Sequence, residues 1–205
     1  MTGQVMTDAI RAFIAIPMPK FVIERARRIQ NEFKSRGIHM GWVEPQNVHL
    51  TLKFLGDIAA EDVDRVADVL SAAVTGVTPF ELADGDMGVF PDLRRPRILW
   101  LGLTGEIARL AAFQKDIENR LYDVSQGGWK PEERRFKAHL TIGRIKTRIA
   151  PDLLIRAIRE AEPTGYRGFT ASAVHLIQSR LTPSGPVYAP LKRMCLDDVV
   201  ERVQL

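Results

Sequence analysis

The tripeptide His-Leu-Thr occurs twice in the 205-residue chain, as His49-Leu50-Thr51 and as His139-Leu140-Thr141, and takes up two of the four histidines. Histidine is the side chain whose ordinary pKa lies nearest neutrality, so two imidazoles facing one cleft can serve as acid and base in a single turnover. A threonine two positions after each adds a short neutral donor. Beside the imidazoles, Thr51 and Thr141 would hold the non-bridging oxygens of a tetrahedral phosphorus, where charge develops during reaction. A single His-x-Thr is ordinary strand sequence, because threonine favours strands and half-buried histidine is common. Two copies ninety positions apart, near half the chain length, instead suggest two similar lobes facing each other. His39 and His175 lack a threonine at that offset and read as surface or core residues.

Each copy lies in an alternating apolar run, Val48 to Phe54 and Phe136 to Ile142, and period-two alternation predicts a strand. Residues i and i+2 of a strand share a face, so imidazole and hydroxyl sit side by side, opposite the leucine. By the same parity Lys53 joins His49 and Thr51, either reaching a phosphate or capping the strand in solvent. Further strands are expected over 10–16, 80–83, 98–103, 174–181 and 187–194, and helices over 20–35, 60–75, 106–122 and 151–160. Gly37 ends the first helix, Gly56-Asp57 closes the first motif strand and Pro151 opens the last helix. Residues 42–47, 85–96 and 125–133 read as loops, and Pro183-Ser184-Gly185-Pro186 as a hairpin turn. Helices interleaved with strands, several joined by short turns, favour an α+β fold with mostly antiparallel sheets. No linker rich in Gly, Ser or Pro divides residues 1–205, which fits one domain of two intimate lobes, each contributing one motif.

Composition narrows the partners. Apolar content of 45% and charged content of 26% are ordinary globular values, and the net charge of +4 favours polyanions. Lys130, Arg134, Arg135 and Lys137 lead into the second motif, Arg144, Lys146 and Arg148 follow it, and Arg94-Arg95-Pro96-Arg97 is a second basic segment. Flanking the motif on both sides, these bases fit phosphate attraction. No apolar run has the length of a membrane span. Residues 1–8 lack the basic segment and apolar core of a secretory signal, with Met6 an alternative start, so a cytoplasmic protein is expected. The single cysteine, Cys195, excludes an internal disulfide and a multi-cysteine zinc site. With no His-Glu-x-x-His, phosphate loop or dinucleotide fingerprint, neither a metal nor a cofactor is expected.

The segment from Trp42 through Asn47-Val48-His49-Leu50-Thr51-Leu52-Lys53-Phe54-Leu55-Gly56 resembles the two-histidine (2H) phosphoesterase superfamily, as does Phe136-Lys137-Ala138-His139-Leu140-Thr141-Ile142-Gly143-Arg144. Phe13-Ile14-Ala15-Ile16-Pro17, Pro96-Arg97-Ile98-Leu99-Trp100-Leu101-Gly102 and the stretch from Ser179 to Tyr188 are similar to the bacterial and archaeal RNA 2′,3′-cyclic phosphodiesterases, also called 2′-5′ RNA ligases. The resemblance spans nearly the whole chain. It implies a bilobal α+β fold, two mostly antiparallel sheets with flanking helices related by a pseudo-two-fold axis, and an active-site cleft between the lobes. It implies metal-independent opening of a cyclic phosphate at an RNA 3′ end, leaving a 2′-phosphate, together with reversible 2′-5′ RNA ligation. His49 corresponds to the proton donor and His139 to the proton acceptor, while Thr51, Thr141 and Arg144 correspond to phosphate-binding residues. Ala138 stands where proline is frequent in the family, and Ile142 for leucine.

The implied partners are RNA 3′ ends with a cyclic phosphate, tRNA fragments among them, with no membrane and a monomeric state. The residues alone do not rank the two histidines as acid and base. Trp42, Phe13 and Tyr188 are candidates to stack on a base, with core packing the better expectation for Phe13. Three other readings stay open at this stage. A cyclic phosphodiesterase of small nucleotides would show in side-by-side assays, a non-catalytic RNA-binding module in binding without turnover, and a metal hydrolase in loss of activity with chelator.

Overall fold

A computed structural model describes residues 9–161, 167–183 and 185–197. The elements run β1 (Ile10–Pro17), α1 (Lys20–Ser35), β2 (Gly41–Trp42), β3 (His49–Ile58), α2 (Asp62–Val74), β4 (Phe80–Phe90), β5 (Ile98–Gly105), α3 (Ile107–Val124), β6 (His139–Arg144), α4 (Pro151–Glu160), β7 (Gly168–Ala171), β8 (Ala173–Thr182) and β9 (Gly185–Cys195). The α+β class follows as expected. Residues 1–8, including the alternative start at Met6, and Ser184 of the β8–β9 turn lie outside the described residues.

The strands form a curled antiparallel sheet in the order β7-β4-β5-β6-β3-β1-β8-β9, with β2 beside β6. Its two halves, β3-β1-β8-β9 and β6-β5-β4-β7, are joined between the motif strands by one residue pair, Leu50 with Leu140. Both leucines are fully buried. Burial of such a side chain is worth about 1.5–3 kcal/mol, so the junction is anchored by the residue between His and Thr in each motif. The helices bury their apolar stripes in the same core: Val22, Ala26, Ile29 and Phe33 of α1, Val66 and Leu70 of α2, Leu110, Ile117 and Leu121 of α3. Gly37, at φ +73°, ends α1 as predicted. The Gly37 amide donates to the Lys34 carbonyl and the Ile38 amide to that of Phe33, the paired closure a left-handed residue permits.

Several local expectations are corrected. β4 does not stop at residue 83 but continues through Phe90, because Met87 to Phe90 pair with Leu101 to Ile98. What reads as turn sequence is strand with an irregularity between Asp84 and Met87. Gly88 is needed there for a different reason, since a Cβ would lie 2.3 Å from the Trp100 ring. Gly56, at φ +75°, does not close β3; Leu55 is bulged out and pairing resumes to Ile58. The second motif strand begins at His139, not Phe136. The short strands β2 and β7 have too few residues to show a period.

The largest correction concerns Lys53. Register between β1 and β3 shifts once more, Ala15 pairing with Thr51 and Ile14 with Lys53, so Leu52 is skipped. A bulge of one residue reverses the alternation beyond it. Lys53 therefore turns into the core, 4% exposed, and Phe54 turns out, 60% exposed. The Lys53 ammonium pairs with Glu118 of α3 at 2.9 Å and donates to the Lys130 carbonyl at 2.5 Å. It neither reaches a phosphate nor caps the strand in solvent.

Candidate active site

A single 3-10 turn, Pro45–Asn47, leads into β3. The Asn47 amide donates to the Glu44 carbonyl at 2.8 Å and the Val48 amide to that of Pro45 at 3.1 Å. This turn directs the Asn47 carbonyl back onto His49, whose Nδ1 lies 2.7 Å away. Its side-chain amide donates to the Pro186 carbonyl, tying the turn to β9. In the second copy the Lys137 carbonyl lies 2.7 Å from Nδ1 of His139. A carbonyl only accepts, so each Nδ1 carries its hydrogen and each Nε2 is left to take or give a proton. Gln30, buried on α1, donates to the Val43 and Ile142 carbonyls and pins the approach to β3 against β6.

Register brings the copies together. With Leu50 opposite Leu140 in an antiparallel pair, His49 falls opposite Thr141 and Thr51 opposite His139. All four lie on the face away from the buried leucines. In a regular antiparallel sheet, diagonal neighbours such as His49 and His139 stand about 7–8 Å apart, a spacing that admits one phosphate group. Neither threonine hydroxyl has a hydrogen-bond partner among the described residues. Arg144, exposed at the end of β6, projects its charge onto both His49 and Tyr188.

Aromatic rings frame both imidazoles. Phe13 stacks on His49 at 4.7 Å, with Tyr188 edge-on at 5.4 Å, and Phe90 meets His139 edge-on at 4.9 Å. Desolvation lowers the pKa of His49 below 6.5, and the charges of Arg144 and His139 add to this against the Asn47 carbonyl. Desolvation also lowers His139, aided by the Lys137 ammonium and opposed by the Lys137 carbonyl. Two clefts open on either side of the pair. One of about 460 Å³ lies on the His49 half, lined by Arg11, Phe13, Phe54, Arg144, Lys146 and Tyr188. The other, about 510 Å³, lies on the His139 half along β5.

The family model for LigT-like phosphoesterases matches the chain twice, over residues 16–100 and 101–188. The chain belongs to the LigT-like phosphoesterase family. The two matched segments each contain one His-x-Thr. Among curated relatives in the family, the RNA 2′,3′-cyclic phosphodiesterase of Methanothermobacter thermautotrophicus is 33% identical over 183 residues, 89% of this chain and 97% of its own. That of Aquifex aeolicus is 34% identical over 189 residues, 91% and 97%. Among solved LigT-like structures, TT0787 of Thermus thermophilus superposes with a TM-score of 0.72 at 23% identity, covering 91% of this chain and 98% of that one. E. coli LigT complexed with 3′-AMP gives 0.68 at 24% identity, covering 93% and 100%. These two show the shared LigT-like fold.

Within this LigT-like frame the structure brings His49, His139, Thr51, Thr141 and Arg144 to one region, and leaves Lys53 out of it. His39 is exposed, and His175, opposite Ala15 on β1, faces Arg193. Sequence reasoning missed Asn47 and Lys137, which act through backbone carbonyls and so leave no side-chain signal. It also missed Phe90 and Phe54, whose placement depends on register shifts. Among the described residues no three His, Cys, Asp or Glu side chains cluster as a metal site, and no helix is long and apolar enough to cross a membrane.

Proposed function

We propose that this chain hydrolyses RNA 2′,3′-cyclic phosphate ends to 2′-phosphomonoesters without a metal ion, acting as a cytoplasmic monomer in which two intimate lobes each supply one His-x-Thr. The observation that carries the reading is the matched pair of imidazoles, each held at Nδ1 by the carbonyl two residues upstream and set diagonally across the Leu50–Leu140 bridge. The names borne by relatives 33% and 34% identical support the substrate.

In this mechanism Nε2 of neutral His139 takes a proton from water as its oxygen bonds to phosphorus. Nε2 of protonated His49 gives a proton to the ribose O3′ as the P–O3′ bond breaks. Thr51, Thr141 and Arg144 hold the non-bridging oxygens, donors aimed at the charge that builds in the transition state. The cleft beside His49 takes the terminal nucleoside, with basic Arg11, Arg144 and Lys146 near the strand and Phe13, Phe54 and Tyr188 near the base. With an RNA 5′-hydroxyl in place of water, the same proton transfers, in the same direction, join the cyclic end to that hydroxyl as a 2′-5′ linkage while P–O3′ breaks.

The test is incubation with an oligoribonucleotide bearing a 2′,3′-cyclic phosphate, such as a tRNA fragment, in EDTA, followed by end-group analysis. A 2′-monophosphate is expected. A 3′-monophosphate would remove the assignment of O3′ as leaving group, and loss of turnover in EDTA would remove the metal-free mechanism.

A further inference from the structure

The motif strands meet at one residue pair, Leu50 with Leu140, so their own ladder does little to fix the gap between the two imidazoles. Two buried glutamines add further ties. Gln30 of α1, 2% exposed, donates from Nε2 to the Ile142 carbonyl at 3.1 Å. Gln114 of α3, 5% exposed, donates from Nε2 to the Leu52 carbonyl, also at 3.1 Å. Leu52 and Ile142 hold the same place in the two copies, directly after the motif threonine. In both strands that residue is also the one the ladder skips. β1 pairs Ala15 with Thr51 and Ile14 with Lys53, while β5 pairs Trp100 with Thr141 and Leu99 with Gly143. The ties cross. α1 lies in the segment matched over 16–100 and reaches the motif of 101–188, whereas α3 lies in 101–188 and reaches the motif of 16–100.

A bulge takes one residue out of the ladder and bends its strand, so the angle at which the strand leaves it must be set by something else. A buried carbonyl at the bend also needs a donor, and each glutamine supplies one. On α3, Gln114 and Glu118 stand one turn apart on one face and grip Leu52 and Lys53 in succession. On α1, Gln30 donates to the Val43 carbonyl as well, at 2.6 Å, while the Val43 amide donates to the Ile142 carbonyl at 3.1 Å. We infer that Gln30 and Gln114 are positioning residues that act crosswise. Each holds the bulge behind the His-x-Thr of the other repeat, and together they set the span between Nε2 of His49 and Nε2 of His139. What that span serves rests on the proposed function; the crossing itself does not. Misplacement of a reacting group by about 1 Å can cost on the order of 100-fold in rate, so two hydrogen bonds remote from the phosphate are enough to matter.

The experiment replaces each amide with an apolar side chain of like length, Gln30→Met and Gln114→Met, and follows the imidazole signals of His49 and His139 by NMR, assigned through His49→Ala and His139→Ala. Gln114→Met should shift or broaden the His49 signals and spare those of His139, and Gln30→Met should do the reverse. Well below the unfolding midpoint of each variant, kcat and kcat/KM on a cyclic-ended oligoribonucleotide should fall together, by about 10- to 100-fold, because the tie serves the transition state and not substrate binding. Lower midpoints with wild-type kcat and both imidazole signals in place would leave the glutamines a structural role only and overturn the inference. So would each variant disturbing the histidine of its own repeat. Where a Met variant does not fold, Gln→Asn at the same position keeps an amide in the core but draws it back by one methylene, and carries the same expectations. Absence of hydrolysis in wild type would strike the proposed function, and the imidazole signals would still decide whether the ties cross.

Discussion

At the scale of single residues, the two imidazoles are near equivalents made unequal by their neighbours. Both are tethered at Nδ1 and both are desolvated, but His49 also feels Arg144, while His139 feels Lys137. General acid–base assistance contributes roughly 100- to 10,000-fold per group, so His49→Ala and His139→Ala should each cut kcat by about that factor on a cyclic-ended oligonucleotide. Circular dichroism should show both variants folded, and near-normal turnover in either one would refute the assignment. The pH dependence follows from the same environment. One histidine must enter the reaction protonated and the other neutral, and both pKa values in the free protein lie below 6.5. The log of kcat/KM, which reports the free enzyme, should therefore already be falling as pH rises through 7. Bound phosphate places a negative charge between the rings and raises both values, so the alkaline limb of kcat should lie at higher pH than that of kcat/KM. Coincident limbs would show that the anion does not sit between them.

At the scale of elements, the site depends on contacts that no side-chain pattern announces. The motif positions were legible because period-two alternation holds from Val48 to Leu52. It fails at Leu52, where the bulge inverts Lys53 and Phe54. A bulge is decided by the partner strand, so parity within one strand could not reveal it. The same limit hid β4 beyond residue 83, where Gly88, which looks like a turn residue, makes room for Trp100. Lys53 in its buried position holds β3 to α3 and, through the Lys130 carbonyl, to the segment that delivers the second motif. Glu118 closes the link by accepting from the Glu132 amide at 3.0 Å. Lys53→Met should destabilise the protein by about 3–5 kcal/mol in urea unfolding, because Glu118 is left buried without its cation. Lys53→Met with Glu118→Leu should recover most of that loss. A single variant within about 0.5 kcal/mol of wild type would mean that the pair adds nothing. Gly88→Ala should cost about 1–3 kcal/mol by forcing the Trp100 indole aside. It should also disturb the Lys137–Phe90–His139 contacts, so activity should drop by more than the unfolded fraction explains.

At the scale of the whole molecule, the proposed active site exists only where the two halves of the sheet meet, and each half brings one histidine into a desolvated setting to make it. That arrangement has a cost in acid. His49, His139 and His175 all have folded pKa values lowered from 6.5, desolvation being the first cause in each case. A group whose folded pKa is depressed binds fewer protons in the native state than in the unfolded chain. The associated stability is present above the unfolded value of about 6.5 and is lost as pH falls through the folded values. Thermal unfolding midpoints should thus be nearly level from pH 8 to pH 7 and decline from about pH 6.5 downward, well before most carboxylates titrate. His49→Ala combined with His139→Ala removes two of the three groups and should flatten the decline between pH 6.5 and 5, whatever it does to the midpoint at pH 7. If the double variant declines as steeply as wild type, the acid sensitivity lies elsewhere, and the imidazoles are not held neutral by burial. If it flattens, the same desolvation that readies His139 to accept a proton is measured as a stability the protein forgoes in acid.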